Sequence, residues 1–111
     1  MVGKYEVVTL CGSTKFKDDF IKAQEALTLL GCIVISVGLF GHADNKYNKE
    51  ISPEIKTMLD DMHKRKIDMA DSIFVINRDD YIGESTASEI AYAEATGKKV
   101  SYMFKHIKDS F

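Results

Sequence analysis

Cys32-Ile33-Val34-Ile35-Ser36-Val37 is an almost unbroken apolar run, with Gly31 before it and Gly38 after it. A strand with one wet face alternates apolar and polar residues. A run without alternation suits a strand covered on both faces, as in a parallel sheet. Upstream, Phe16, Phe20, Ala23, Leu27 and Leu30 recur at i, i+4, i+7, i+11 and i+14, the period of a helix. Gly31 stands where a glycine commonly ends one. Before that helix, Val7-Val8-Thr9-Leu10-Cys11 is a second β-prone run, stopped by Gly12-Ser13-Thr14.

Downstream, residues 38–51 lose all period and read as a loop, long enough in a compact domain to be functional. Ser52-Pro53 predicts a helix start, with serine as cap and proline at the first helical position. Ile55, Leu59 and Met62 continue that helix on one face to about Ala70. Ser72-Ile73-Phe74-Val75-Ile76-Asn77 predicts a third strand, and residues 78–84 a polar loop. A short alanine-rich helix is expected over residues 86–96, ending at Gly97. Lys99-Val100-Ser101-Tyr102-Met103 predicts a fourth strand, and residues 104–111 are weakly patterned.

Strand and helix therefore alternate, β-α-β-α-β-α-β. Helices between successive strands make crossovers, so the sheet is expected to be parallel. Right-handed crossovers then give a small three-layer α/β sandwich of the Rossmann or flavodoxin-like kind, with strand order 2-1-3-4. Ligands in such sheets bind beyond the carboxyl ends of the strands at the switch point, here between strands 1 and 3. The expected lining is residues 11–15, 38–44, 77–89 and the end of the chain.

The 111 residues are expected to form one domain, 1–111. A content of 45% apolar and 29% charged residues excludes wholesale disorder. The net charge of −2 argues against a nucleic-acid polymer as partner. No apolar run approaches the roughly 20 residues of a membrane span. An acidic residue precedes any apolar stretch at the N-terminus, so no signal peptide is read and the expected compartment is the cytoplasm. Cys11 and Cys32 lie in apolar strands and are expected to be reduced core residues rather than a disulfide. No metal-ligand spacing links Cys11, Cys32, His42, His63 and His106, so neither metal nor cofactor is expected.

Gly12-Ser13-Thr14 follows strand 1 and opens the first helix. Backbone N–H groups and two hydroxyls there suit an anion or polyol, although Ser13 or Thr14 could simply cap the helix. The turn is neither G-x-G-x-x-G nor a Walker A loop. Thr86-Ala87-Ser88-Glu89 fits the T-x-x-E capping box. The functional alternative turns Glu89 into the cleft, ionised by the helix start, while Ser85 and Thr86 bind an anion. Asp60-Asp61-Met62-His63-Lys64-Arg65-Lys66 reads as a solvated helix face with pairs Asp60–Lys64 and Asp61–Arg65, unless His63 faces the site. Asp71 reads as a turn residue, Asn77 ends strand 3 on the binding edge, and His42 lies in the long loop.

Ala70-Asp71-Ser72-Ile73-Phe74-Val75-Ile76, a polar loop, Glu89-Ile90-Ala91-Tyr92-Ala93 and Gly97-Lys98-Lys99-Val100 together resemble the nucleoside 2-deoxyribosyltransferase superfamily, which includes the 2′-deoxynucleoside 5′-monophosphate N-glycosidases. Cys11-Gly12-Ser13 resembles the first nucleotide-contacting turn of that group. The resemblance implies that Glu89 is the nucleophile at C1′ of the sugar, by the logic of a retaining glycosidase. It implies that Gly12, Ser13 and Thr14 hold sugar or phosphate with Ser85 and Thr86, and that Lys15 adds charge to a phosphate. Cys11, His42, Asn77 and Gly83 complete the expected substrate contacts. Where the family often carries an acid, this chain has His63, with Asp60 and Asp61 nearby; a histidine of near-neutral pKa could protonate the leaving base. Where the family often shows Gly-x-Gly before the glutamate, this chain has Gly83, Ser85 and Ala87.

The expected partner is thus a nucleoside or nucleotide, cleaved or transferred at its N-glycosidic bond. A homodimer or higher homo-oligomer is also expected, because the chain is short for the family and rich in apolar helix positions. A nucleotide or nucleotide-sugar sensor without turnover is the rival on the same fold. A flavodoxin-like FMN carrier is the third reading, disfavoured by a first loop poor in hydroxyls.

Overall fold

The computed structural model describes residues 1–40 and 52–106. Strands and helices alternate as β1 (Val7–Gly12), α1 (Lys17–Leu29), β2 (Ile33–Ile35), α2 (Pro53–Asp68), β3 (Ser72–Ile76), α3 (Glu84–Ala95) and β4 (Lys99–Tyr102). Short 3-10 turns follow β1 at Thr14–Phe16 and β3 at Arg78–Asp80. The strands form one all-parallel sheet in the order β2-β1-β3-β4. The fold is α/β, Rossmann or flavodoxin-like.

Side chains alternate between the faces of the sheet. Leu10 and Ile76 pack with Phe20 and Ala23 of α1 on one face. Cys11, Ile73 and Val75 pack with Ile67 of α2 and Ala93 of α3 on the other. Leu10, Phe20, Ile67, Ile73 and Ile76 are wholly or almost wholly buried. Each such side chain contributes about 1.5–3 kcal/mol through burial. The two central strands thus form the floor, with α1 on one side and α2 and α3 on the other.

Local chemistry sets the boundaries. Ser52 Oγ accepts the Ile55 N–H at 3.2 Å, with Pro53 at the first helical position, as the sequence predicts. Gly31 closes α1 with φ of 92°, a left-handed conformation that favours glycine. Asp71 joins α2 to β3 and its carboxylate accepts the Val7 N–H at 2.8 Å.

Four expectations are corrected. The run 32–37 yields only the three-residue edge strand β2, paired to β1 alone, and Ile33 is 50% exposed. Its apolar character serves packing toward α1 through Val34 and Val37, not cover on both faces. Leu30 lies beyond α1 and is 79% exposed. On α2, the buried residues are His63 and Ile67, whereas Ile55 and Met62 are almost half exposed. The side of α2 that faces the sheet is fixed by tertiary contacts, including the Thr9 hydroxyl donated to the Lys66 carbonyl at 2.8 Å. Among the described residues, the ion pairs within α2 are Lys56–Asp60 at 2.8 Å and Arg65–Asp68 at 3.8 Å, in place of the two expected. Both cysteines are free. No helix among the described residues is long and apolar enough to cross a membrane.

Candidate functional site

Beyond the carboxyl ends of β1 and β3 lies a cavity of about 650 Å³. The winding reverses between these two strands, so the cavity sits at the switch point. Its walls are residues 12–14 after β1, residues 37–39 after β2, one side of α2, and Tyr81, residues 83–86 and Glu89 before and within α3.

Gly12 makes the first wall possible. Its φ is 149°, and a Cβ there would lie 2.8 Å from the Ile76 carbonyl oxygen. Only glycine lets the end of β1 lie this close to β3 while the chain turns. Ser13 and Thr14 then line the cavity, and Ser13 Oγ also accepts the Lys15 N–H at 3.4 Å.

The capping box does not form. Helix α3 begins at Glu84, with Gly83 before it and no side-chain cap. Thr86 therefore lies inside the first turn and is buried, and Glu89 lies in the second turn. Its carboxylate, only 12% exposed, is free of the backbone and reaches the cavity. Burial and the Asp60 carboxylate push its pKa up to about 7, against the thiol hydrogen bond of Cys11 and the charges of Lys64 and Lys56. The expectation that the helix start keeps Glu89 ionised is thus reversed: the terminal field fades within a turn, and desolvation wins.

His63 projects from α2 onto the same spot, with Nε2 3.8 Å from Glu89 Oε1 and 3.5 Å from Cys11 Sγ. Burial and then Lys66 lower its pKa to about 4, although a hydrogen bond to the Leu10 backbone and the Asp60 charge oppose this. The ring is neutral at pH 7, not an acid of near-neutral pKa. Between about pH 4 and 7 both partners favour their neutral forms, so the 3.8 Å contact is not an ion pair there. Burial, then the neighbouring Glu89, hold the Cys11 thiol well above its ordinary pKa.

Of the residues singled out in the sequence, Gly12, Ser13, Thr14, His63, Gly83, Ser85, Thr86 and Glu89 share the cavity. Cys11 is fully buried beside His63 and Glu89 and is not part of the wall. Lys15 is not in the wall either; its Nζ sits 3.6 Å above the Tyr81 ring. Asn77 is fully buried outside the cavity and holds the backbone of Phe104, accepting its N–H at 2.9 Å and donating to its carbonyl at 3.0 Å. His42 lies outside the described residues. The wall also includes Tyr81, within the expected lining, and Val37, Leu59, Asp60, Met62 and Lys66, which lie outside it. The stripe Leu59–Met62 was the available signal, because an apolar helix face that is not core can be a cavity wall. Lys66 donates to the Ser36 carbonyl at 2.9 Å and holds the exit of β2.

No protein-family model matches the chain, and no curated protein matches it.

A cavity of this volume lies in the range of small-molecule sites, about 300–1,000 Å³. Apolar side chains (Val37, Leu39, Leu59, Met62) stand against hydroxyls and a helix start (Ser13, Thr14, Ser85, Thr86). That arrangement suits a ligand with a flat or apolar part and a polar or anionic end. Glu89 borders the same cavity.

Proposed function

We propose that the chain cleaves or transfers the N-glycosidic bond of a nucleoside, deoxynucleoside or 5′-monophosphate, with Glu89 as nucleophile. The observation that carries this reading is the Glu89 carboxylate, unused by its own helix and turned into the cavity that residues 12–14 share. The resemblance of residues 70–76 and 89–100 to nucleoside 2-deoxyribosyltransferases supports the same assignment.

In this reading the first turn and the start of α3 hold the sugar and any phosphate. The ionised Glu89 oxygen forms a bond to C1′ as the C1′–N bond breaks, and the electron pair leaves with the base, which takes a proton from water. Water then attacks C1′ of the glycosyl ester, returning the carboxylate and releasing the sugar; a second base in place of water gives transfer. Only the ionised fraction of Glu89 is a nucleophile, so the rate rises with pH through about 7. Cys11, which hydrogen-bonds the carboxylate, and His63, 3.8 Å from it, orient Glu89. The half-exposed Ile55 and Met58 of α2, outside the cavity wall, support a homodimer, which light scattering tests.

The test is incubation with deoxynucleoside monophosphates and chromatography for free base. Release of base that disappears in Glu89→Gln supports the reading; full activity in Glu89→Ala overturns it. One feature favours a nucleotide sensor instead: burial and the Lys66 charge lower the His63 pKa to about 4, so no imidazolium stands ready to protonate a leaving base at neutral pH. Thermal stabilisation by nucleotides, with no base released, selects that alternative.

A further inference from the structure

We propose that Cys11, His63 and Glu89 form a binding site for one divalent cation of the Zn²⁺ class, with its fourth position facing the cavity. The three residues come from β1, α2 and α3, and their donor atoms all lie within 4.8 Å of one another. Tetrahedral coordination at ordinary Zn–S, Zn–N and Zn–O lengths sets sulfur and nitrogen about 3.5–3.6 Å apart, and nitrogen and oxygen about 3.4 Å apart. Cys11 Sγ and His63 Nε2 stand 3.5 Å apart, already at that spacing. His63 Nε2 and Glu89 Oε1 stand 3.8 Å apart, and a small rotation of the glutamate closes the difference.

The donor chemistry selects the ion. One sulfur, one imidazole nitrogen and one carboxylate oxygen suit Zn²⁺, whereas Mg²⁺ and Ca²⁺ require oxygen ligands throughout. A thiolate and a carboxylate carry two negative charges, which neutralise the ion in a buried place. Binding releases the thiol proton, and the carboxyl proton where one is held, to the buffer. The His63 ring also hydrogen-bonds the Leu10 backbone, the kind of outer contact that orients a metal-ligating histidine. His63 and Glu89 border the cavity, which gives the ion a path in and a place for water or a ligand oxygen at the fourth corner. The site stands apart from the glycosidase reading and competes with it, since an ion here occupies the carboxylate oxygen that would attack C1′.

The experiment is a Co²⁺ titration of the full chain followed by absorption, then displacement by Zn²⁺. The expected result is saturation at one ion per chain, with an intense near-ultraviolet thiolate band and a visible band of tetrahedral type. Cys32→Ser, outside the cluster, leaves both bands unchanged. Cys11→Ser removes the thiolate band. Glu89→Gln and His63→Gln keep the side-chain volume close and weaken Co²⁺ binding by about 10-fold or more. If circular dichroism finds Cys11→Ser unfolded, these two variants decide. Overturning results are no saturable binding in the micromolar range, a thiolate band that follows Cys32, or binding unaffected by Glu89→Gln and His63→Gln. Base release assayed in chelator reads the catalytic proposal separately, so either idea can fail alone.

Discussion

The exits of β1 and β3 are neighbours in register, Gly12 beside Ile76, and both continue into polar segments at the same edge of the sheet. Their polar groups have opposite employment. After β1, Ser13 and Thr14 face the cavity. After β3, Asn77 holds Phe104, and Asp80 holds His106 Nδ1 at 2.7 Å while the His106 ring stacks 4.4 Å from Tyr102. Arg78 completes this second region by gripping the buried Asp19 at 2.6 and 2.8 Å. A polar residue at the right edge is therefore a ligand group only where the fold does not bury it in bonds to another segment, as it does Asn77. The exit of β1 is a binding surface, whereas residues 77–80 after β3 clasp Phe104 and His106 before the chain returns to the cavity at Tyr81 and residues 83–86.

The largest expected effect tests the first half of that contrast. Glu89→Gln should lower base release by on the order of 10³-fold or more, about 4 kcal/mol of transition-state stabilisation. Asn77→Ala, assayed alongside at a temperature where it is folded, should retain the rate within a few-fold. A comparable loss in both variants breaks the contrast, because it makes Asn77 part of the chemistry.

Gly12→Ala should come next. The added Cβ meets the Ile76 carbonyl at 2.8 Å in a backbone conformation that side chains avoid. We expect a loss of roughly 2–4 kcal/mol in urea denaturation. An unchanged midpoint would mean that the two strand ends are not held this closely. Asn77→Ala should cost roughly 2–3 kcal/mol by leaving the Phe104 N–H and carbonyl without their partner. Asn77→Asp should cost at least as much, since it loses the amide N–H donated to the Phe104 carbonyl and to Asp80 Oδ1 at 3.2 Å and sets a buried carboxylate against Asp80.

The sheet order was legible because it rests on local signals: apolar runs, Gly12, Gly31 and Gly97 as stops, and Ser52-Pro53 as a start. The first wall and the α3 segment of the cavity follow from topology once that order is known. The use of each polar residue was not legible. Asn77 and Phe104 are 27 positions apart, and His63 and Cys11 are 52 apart, so no short-range pattern announces either contact. Thr86-Ala87-Ser88-Glu89 was ambiguous in the other direction. Its capping pattern is genuine as a sequence, but Glu84 and Ser85 extend the helix by half a turn and release Glu89 from the backbone. The apolar stripe of α2 misled for a related reason, since periodicity identifies a face without saying whether core or cavity lies against it.

The smallest effect concerns pH and sharpens the comparison most, because in the parent protein it should be nearly absent. Glu89 titrates near 7 in the fold and near 4.5 when unfolded, so the folded chain holds an extra proton between those values. Its contribution to stability is present below about pH 4.5 and is lost as pH rises toward 7. His63 titrates near 4 in the fold and near 6.5 when unfolded, so its contribution is present above about 6.5 and is lost as pH falls toward 4. Between about pH 4.5 and 6.5 the two slopes oppose one another. The folded pair keeps one proton on Glu89, the unfolded pair keeps one on His63, and the net uptake is near zero. Each single substitution should expose the remaining slope. Stability of His63→Gln should fall with rising pH across this window, and that of Glu89→Gln should rise, each by about 1 kcal/mol per pH unit relative to the parent. The double variant should again run parallel to the parent. Urea denaturation at a series of pH values, in chelator to keep metal from the cluster, reads all four slopes. Parallel slopes in all four proteins would mean that His63 and Glu89 are solvated in the fold, and the buried floor of the cavity would have to be redrawn.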